Sequence, residues 1–256
     1  MKRILLRIIV LCILVSSLAW IANKPTLYII GDSTVRNTTT PGGQWGWGSI
    51  IGDFLDTSKI VVSNQAMAGR STRTFIKEGR WDKVLSTLKA GDYVMMQFGH
   101  NEGSKPDTSR NGYRGVLRGI GEDSVMLTWA DGTIETVHSY GWYIRKFVRD
   151  VKARGAYPIV LSLIPRNDWK DGKVLRSVNS FGQYAAEVAK QEGAWFVDLN
   201  SITADKYDAM GTDKVKQFFP QEHTHTNYDG AKINAASVIE GVQLLPDCGL
   251  NKYITK

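Results

Sequence analysis

Five short runs, Thr26–Ile30, Ile60–Val62, Tyr93–Phe98, Pro158–Leu163 and Trp195–Leu199, are apolar on both alternating sets of positions. A strand with one wet face alternates in polarity. A strand apolar on both sides must be covered on both, which is the condition of a parallel sheet under two layers of helices. The intervening stretches Gly48–Leu55, Arg80–Lys89, Gly141–Arg154 and Val178–Glu192 read as helices. Strand and helix alternate, so the expected fold is α/β, a doubly wound three-layer sandwich around a five-stranded parallel sheet. Ligands of such sheets gather outside the carboxyl ends of the strands. Residues 103–138 are too Gly-rich for a helix, but Ser124–Trp129 and Thr133–Val137 flank Asp131-Gly132, a hairpin turn signal, so an insertion over the ligand face is expected there.

The first residues set the compartment. Lys2, Arg3 and Arg7 precede an apolar run from Ile8 to Val15 and the small residues Ser16, Ser17 and Ala19, the order of a secretory signal peptide cleaved after Ala19. The alternative is an uncleaved anchor, since an apolar stretch of about 19 residues is just long enough to span a bilayer. Leu11 before Cys12 argues against lipoprotein processing. Residues 20–256 remain, a length that one hydrophobic core can fill, so a single domain is expected. Cleavage lowers the formal charge from +7 to +4. No cluster of Lys and Arg interleaved with aromatics is present, so no nucleic-acid partner is expected, and the mild excess suits an acidic substrate such as a uronic-acid polymer. Cys248 is the one cysteine left, which forbids an intrachain disulfide. The expectation is an exported monomer, periplasmic or extracellular, with no membrane partner unless the leader is retained.

Chemistry-bearing residues follow the strands at once: Gly31-Asp32-Ser33-Thr34 after the first, Asn64 to Thr72 after the second, Gly99-His100-Asn101-Glu102 after the third. A bare Ser in a turn proves little, because capping and turn-forming Ser residues outnumber nucleophiles. The Gly-x-Ser-x-Gly elbow of other α/β hydrolases is absent. An alcohol needs a general base within hydrogen-bond reach, and His225 has the right chemistry for it. His223 and His225, with Glu222, also raise a zinc reading. No further His or Cys lies nearby in sequence, and Ser33 and Asn101 would then be idle, so no metal and no cofactor is expected.

Four blocks occur in the order that resembles the SGNH, or GDSL, hydrolase superfamily. They are Gly31-Asp32-Ser33-Thr34, Asn64-Gln65-Ala66-Met67-Ala68-Gly69-Arg70-Ser71, Gly99-His100-Asn101-Glu102 and Glu222-His223-Thr224-His225. The resemblance implies a flavodoxin-like fold, Ser33 as nucleophile and His225 as base. It also implies an oxyanion hole made by the backbone N–H groups of Ser33 and Gly69 and the amide of Asn101. Glu222 stands where the family usually has Asp; it would orient His225, while the alternative is an exposed Glu with a backbone carbonyl doing that work. Gly46-Trp47-Gly48, Val137 to Tyr143, Ser162 to Arg166, and His225-Thr226-Asn227 with Gly230-Ala231 narrow the likeness to the rhamnogalacturonan acetylesterase branch.

That branch implies a secreted serine esterase that takes O-acetyl groups from a plant cell-wall polysaccharide, rhamnogalacturonan first. Xylan, another glycan or a lipid ester are the rival substrates, because fold and triad do not fix the alcohol. A non-catalytic carbohydrate-binding protein is the rival from another class. Trp45, Trp47, Trp129, Trp142 and Trp169 fall in or beside expected loops, and one or two of them are expected to meet sugar rings, although large aromatics are core residues by default. Trp47, His100, Trp142 and Arg166 are the candidates for substrate contact, Arg166 through its planar fork on a uronate carboxylate. His100 and His138 are otherwise structural by default, with substrate contact the alternative for either.

Overall fold

A computed structural model describes residues 24–255 apart from 39 and 41. The expected signal peptide at 1–19 lies outside the described residues. The strands are β1 (Thr26–Gly31), β2 (Val61–Asn64), β3 (Tyr93–Gln97), β4 (Ser124–Thr128), β5 (Ile134–His138), β6 (Tyr157–Leu161), β7 (Trp169–Lys170), β8 (Lys173–Val174) and β9 (Trp195–Val197). Five of them form one parallel sheet in the order β2-β1-β3-β6-β9. The chain runs from β1 to one edge and returns to the other side of it, so the switch in direction falls between β1 and β3, the place where such sheets bind ligands.

Both faces of the sheet are covered, which is why both alternating sets of side chains are apolar. Leu27 and Ile29 of β1, with Met95, Ile159 and Leu161, pack with Trp47, Ile51, Ala235 and Val238 on one side. Tyr28 and Ile30, with Val94, Met96 and Val160, pack on the other against Phe75, Trp81, Phe147 and Val188. The helices Thr72–Lys77, Arg80–Thr87, Tyr140–Ala153 and Phe181–Glu192 supply that second layer, and Tyr228–Gln243 supplies the first. Each such side chain withdrawn from water is worth about 1.5–3 kcal/mol, so the sheet is where the fold is decided.

Three expectations differ from the structure. Gly48–Leu55 is not one helix but two short 3-10 turns, Trp47–Ser49 and Ile51–Phe54. A Cβ on Gly48 would stand 2.4 Å from the Val35 carbonyl oxygen, so the chain there passes against the turn after β1 and is shaped by that approach. The helices Leu199–Met210 and Tyr228–Gln243 were not expected, because their small and polar residues blur the helical period. Strand ends shift by one or two residues, Pro158–Leu163 for instance becoming Tyr157–Leu161. The hairpin is present: β4 and β5 are antiparallel, and Trp129 and Thr133 close a short loop in which Gly132 takes φ +83°.

Candidate active site

Ser33 sits in the turn that ends β1, where the Asp32 carbonyl accepts from the N–H groups of Val35 (3.2 Å) and Arg36 (3.1 Å). Its Oγ lies 2.7 Å from His225 Nε2. His225 Nδ1 lies 2.6 Å from Glu222 Oε1, which requires the proton on Nδ1 and leaves Nε2 free to accept from the Ser33 hydroxyl. The same carboxylate accepts the backbone N–H groups of His225 (2.6 Å) and Thr224 (2.8 Å), so Glu222 folds its own loop around the ring it contacts. Partial burial works against its charge, but those two N–H groups and the imidazole outweigh that and hold its carboxyl below the usual range. The loop is fixed from its far side as well, since Thr226 exchanges two hydrogen bonds with Trp45 and Asn227 caps the helix Tyr228–Gln243.

Beneath Ser33 runs a second, buried set of contacts. Trp47 Nε1 donates to Gln97 Oε1, Gln97 Nε2 donates to Thr34 Oγ1, and Thr34 Oγ1 donates to Asp32 Oδ1. Asp32 Oδ2 then faces His100 Nδ1 at 3.1 Å, and His100 Nε2 donates to the Ile164 carbonyl at 3.1 Å. Burial alone would raise the Asp32 carboxyl; the His100 ring opposite, by charge and hydrogen bond, and the N–H and hydroxyl of Thr34 bring it below the ordinary carboxylate value.

The three expected oxyanion donors lie on the loops after β1, β2 and β3. Among the described residues no hydrogen bond engages the N–H of Ser33 or of Gly69. Gly69 has φ +74°, a left-handed conformation that a side chain would strain even though little stands in its way. Asn101 Nδ2 donates to the Arg70 carbonyl at 3.1 Å and keeps a second hydrogen, while its Oδ1 accepts from Arg114 at 2.8 Å. Glu102, fully buried, joins the second and third loops by accepting from Thr72 N–H (2.8 Å) and Asn101 N–H (3.0 Å); burial pushes its carboxyl up to about 8.

Other expected contacts fall elsewhere. Trp47 is wholly buried with its indole N–H satisfied by Gln97, so it is a core residue with no face for a sugar. His100 has both ring nitrogens engaged and its side chain 3% exposed, so it braces Asp32 and has no free nitrogen for substrate. Trp142 stacks on His138 (3.8 Å between centroids) and borders a cavity of about 250 Å³ with Glu122, Arg145, Lys146, Arg149 and Asp150, a lining that includes none of Ser33, His225 and Glu222. Arg166 lines a cavity of about 280 Å³ that also holds Gly99 and His100, beside Asn101. His223 turns to Asp168 (2.7 Å), so it and His225 do not converge on one point. The Asp32–His100 pair and Arg114 escaped the reading of the sequence, and only the adjacency of Asp32 to Ser33 and of His100 to Asn101 hinted at the first.

A family model described as GDSL-like lipase/acylhydrolase matches residues 29–233. A rhamnogalacturonan acetylesterase of Emericella nidulans is 34% identical over 231 residues, covering 90% of this chain and 89% of that one. The rhamnogalacturonan acetylesterase RhgT of Bacillus subtilis is 26% identical, with 86% and 90% covered. Among solved structures, the Bacillus subtilis protein YxiM superposes with a TM-score of 0.70 at 24% identity, over 86% of this chain and 56% of that one. The acetylxylan esterase Axe2 of Geobacillus stearothermophilus does so at 0.55 and 16% identity, over 86% and 95%.

Proposed function

The chain belongs to the GDSL-like lipase/acylhydrolase family and is a carboxylic ester hydrolase, and on that premise we propose that it is an exported serine acetylesterase that removes O-acetyl groups from rhamnogalacturonan. The observation that carries the catalytic part is the line from Glu222 Oε1 through both nitrogens of His225 to Ser33 Oγ, at 2.6 and 2.7 Å. Ser33 attacks the acetyl carbonyl as His225 takes its proton, and the N–H groups of Ser33 and Gly69 with the Asn101 amide meet the oxyanion. His225 then gives its proton to the sugar hydroxyl, and a water that it activates hydrolyses the acetyl-enzyme. Glu222 holds the Nδ1–H tautomer and stabilises the imidazolium.

The substrate part is supported by the 34% identical relative and by Arg166. Arg166 Nη2 donates to the His100 carbonyl at 3.4 Å, and among the described residues no carboxylate pairs with its guanidinium. A planar cation of this kind suits the carboxylate of a uronate ring in the cavity it lines. The leader read at the N-terminus supports export. The test is acetate release from acetylated rhamnogalacturonan against acetylated xylan at matched ester content, with fluorophosphonate labelling of Ser33. Preference for the pectic polymer is expected; equal or greater release from xylan overturns the substrate assignment, and absence of labelling at Ser33 overturns the enzyme mechanism.

A further inference from the structure

Arg114 closes a short 3-10 turn, Gly112–Arg114, in the stretch between β3 and the β4–β5 hairpin. That turn is held from behind. Arg73, 1% exposed, donates through Nη1 to the carbonyls of Gly112 (2.9 Å) and Gly115 (3.1 Å), one on each side of Arg114. The other edge of Arg73 meets Glu135 of β5 with two hydrogen bonds, at 2.7 and 2.9 Å, and Lys77 and Trp129 Nε1 reach the same carboxylate. The hairpin therefore locks the segment that presents Arg114.

From this frame Arg114 Nη1 donates to Asn101 Oδ1 at 2.8 Å. The same nitrogen lies 4.0 Å from where a Cβ on Gly69 would stand. Among the described residues no carboxylate forms an ion pair with Arg114, so an uncompensated guanidinium stands between two of the three donors assigned above.

We propose that Arg114 is a positioning residue for the oxyanion hole, fixing which end of the Asn101 carboxamide faces the reacting ester and strengthening its N–H as a donor. A carboxamide turned over would present its oxygen to a developing oxyanion, replacing attraction by repulsion. The contact with the Arg70 carbonyl favours the correct orientation, and the cation on Oδ1 forbids the other, because a guanidinium can only donate. A charged donor on the oxygen also draws electron density through the amide, and in a site partly shielded from water that polarisation is felt at the N–H. The inference rests on the roles given to Ser33 and Asn101.

Steady-state kinetics on 4-nitrophenyl acetate test it with Arg114→Met, Arg114→Lys, Asn101→Ala, the Arg114→Met/Asn101→Ala double variant, and Ser33→Ala as a control on the site itself. Loss of a whole oxyanion donor lowers kcat about 10²–10³-fold, so a misdirected one should lower it about 10- to 100-fold in Arg114→Met. KM should stay within about twofold of the parent, Arg114→Lys should fall between the two, and the double variant should be no worse than Asn101→Ala alone. Multiplying losses in the double variant, a raised KM at unchanged kcat, or a parental kcat in Arg114→Met would each overturn the inference. If Arg114→Met does not fold, the same cycle run with Arg114→Lys carries the test, where additive losses with Asn101→Ala again count against it. Parental activity in Ser33→Ala would instead sink the reading of the site, whatever Arg114 does.

Discussion

His225 with Glu222, and His100 with Asp32, are the same pair of functional groups in two settings. In the first, the carboxylate is 40% and the ring 24% exposed; in the second they are 0% and 3%. The ring contacts are 2.6 and 3.1 Å, so proximity to the acid does not separate them by role. The difference lies at the other nitrogen. His225 Nε2 faces a hydroxyl that can give up a proton, whereas His100 Nε2 faces the Ile164 carbonyl, which can only accept. The exposed pair is thereby able to pass protons, and the buried pair can only hold two strands' loops together. Partial exposure lets water reach the ring proposed to gain and lose a proton in each turnover.

The largest effect expected from breaking this contrast is at the exposed pair's target. Ser33→Ala should lower kcat roughly a million-fold, with His225→Ala similar, and the double variant should scarcely exceed either because the two act as a unit. Stability should be unaffected, because among the described residues the Ser33 hydroxyl bonds to His225 alone and holds no element of the fold in place. Acetate release by Ser33→Ala at a tenth of the parent rate would remove Ser33 from the mechanism.

Glu222→Gln comes next. It retains the shape and an oxygen toward His225 but loses the charge that favours the imidazolium, so kcat should fall by about 10³–10⁴ with little change in KM, and the melting temperature should fall slightly because the amide nitrogen now faces the Thr224 N–H. Glu222→Asp should lie between parent and Gln, because the shorter acid must reach a ring placed for a longer one. Near-parental kcat in the Gln variant would mean that the backbone, not the carboxylate, orients His225.

What the sequence disclosed follows from how local each signal is. The meeting of Ser33, Glu222 and His225 is legible because each lies in a short block whose order along the chain is itself informative, and the parallel sheet is legible because double-sided burial leaves its mark on every residue of a run. The substrate contacts offered for Trp47 and His100 fail for one shared physical reason. Their places are set by partners far away in the chain, Gln97 for the indole and Ile164 for the imidazole, and nothing near Trp47 or His100 announces those partners. The long helix Tyr228–Gln243 escapes the pattern because Val238, Ile239 and Val242 share its buried face with the small Gly230, Ala231, Ala235 and Gly241 and the polar Asn234 and Ser237, which blur the period.

The buried pair should fail in the opposite way. His100→Leu leaves the Asp32 carboxylate enclosed with no imidazole against it, a loss of about 3–5 kcal/mol. That corresponds to a fall of roughly 10 °C in melting temperature for a domain of this size. At a temperature where the variant is still folded, kcat should stay within about tenfold of the parent, the reverse of Glu222→Gln. A Leu variant that melts like the parent but has lost its activity would place His100 in the chemistry and erase the contrast.

The smallest effect is in the pH dependence of stability, and it separates the two carboxylates by burial. Asp32 has a folded-state carboxyl below its ordinary value, so the native state binds fewer protons there than the unfolded chain does. Its stabilisation is thus fully present above the ordinary carboxylate range and is lost as pH falls toward the depressed folded value. Glu222 is shifted the same way, but at 40% exposure its share is screened by solvent. Melting temperature followed from pH 7 to pH 3 should therefore fall with nearly the same slope for the parent and Glu222→Gln. In His100→Leu the curve should start lower and be flatter, because Asp32 without the imidazole no longer prefers its charged form. A Glu222→Gln curve as flat as that of His100→Leu would assign the acid-sensitive stability to the exposed pair and reverse the comparison.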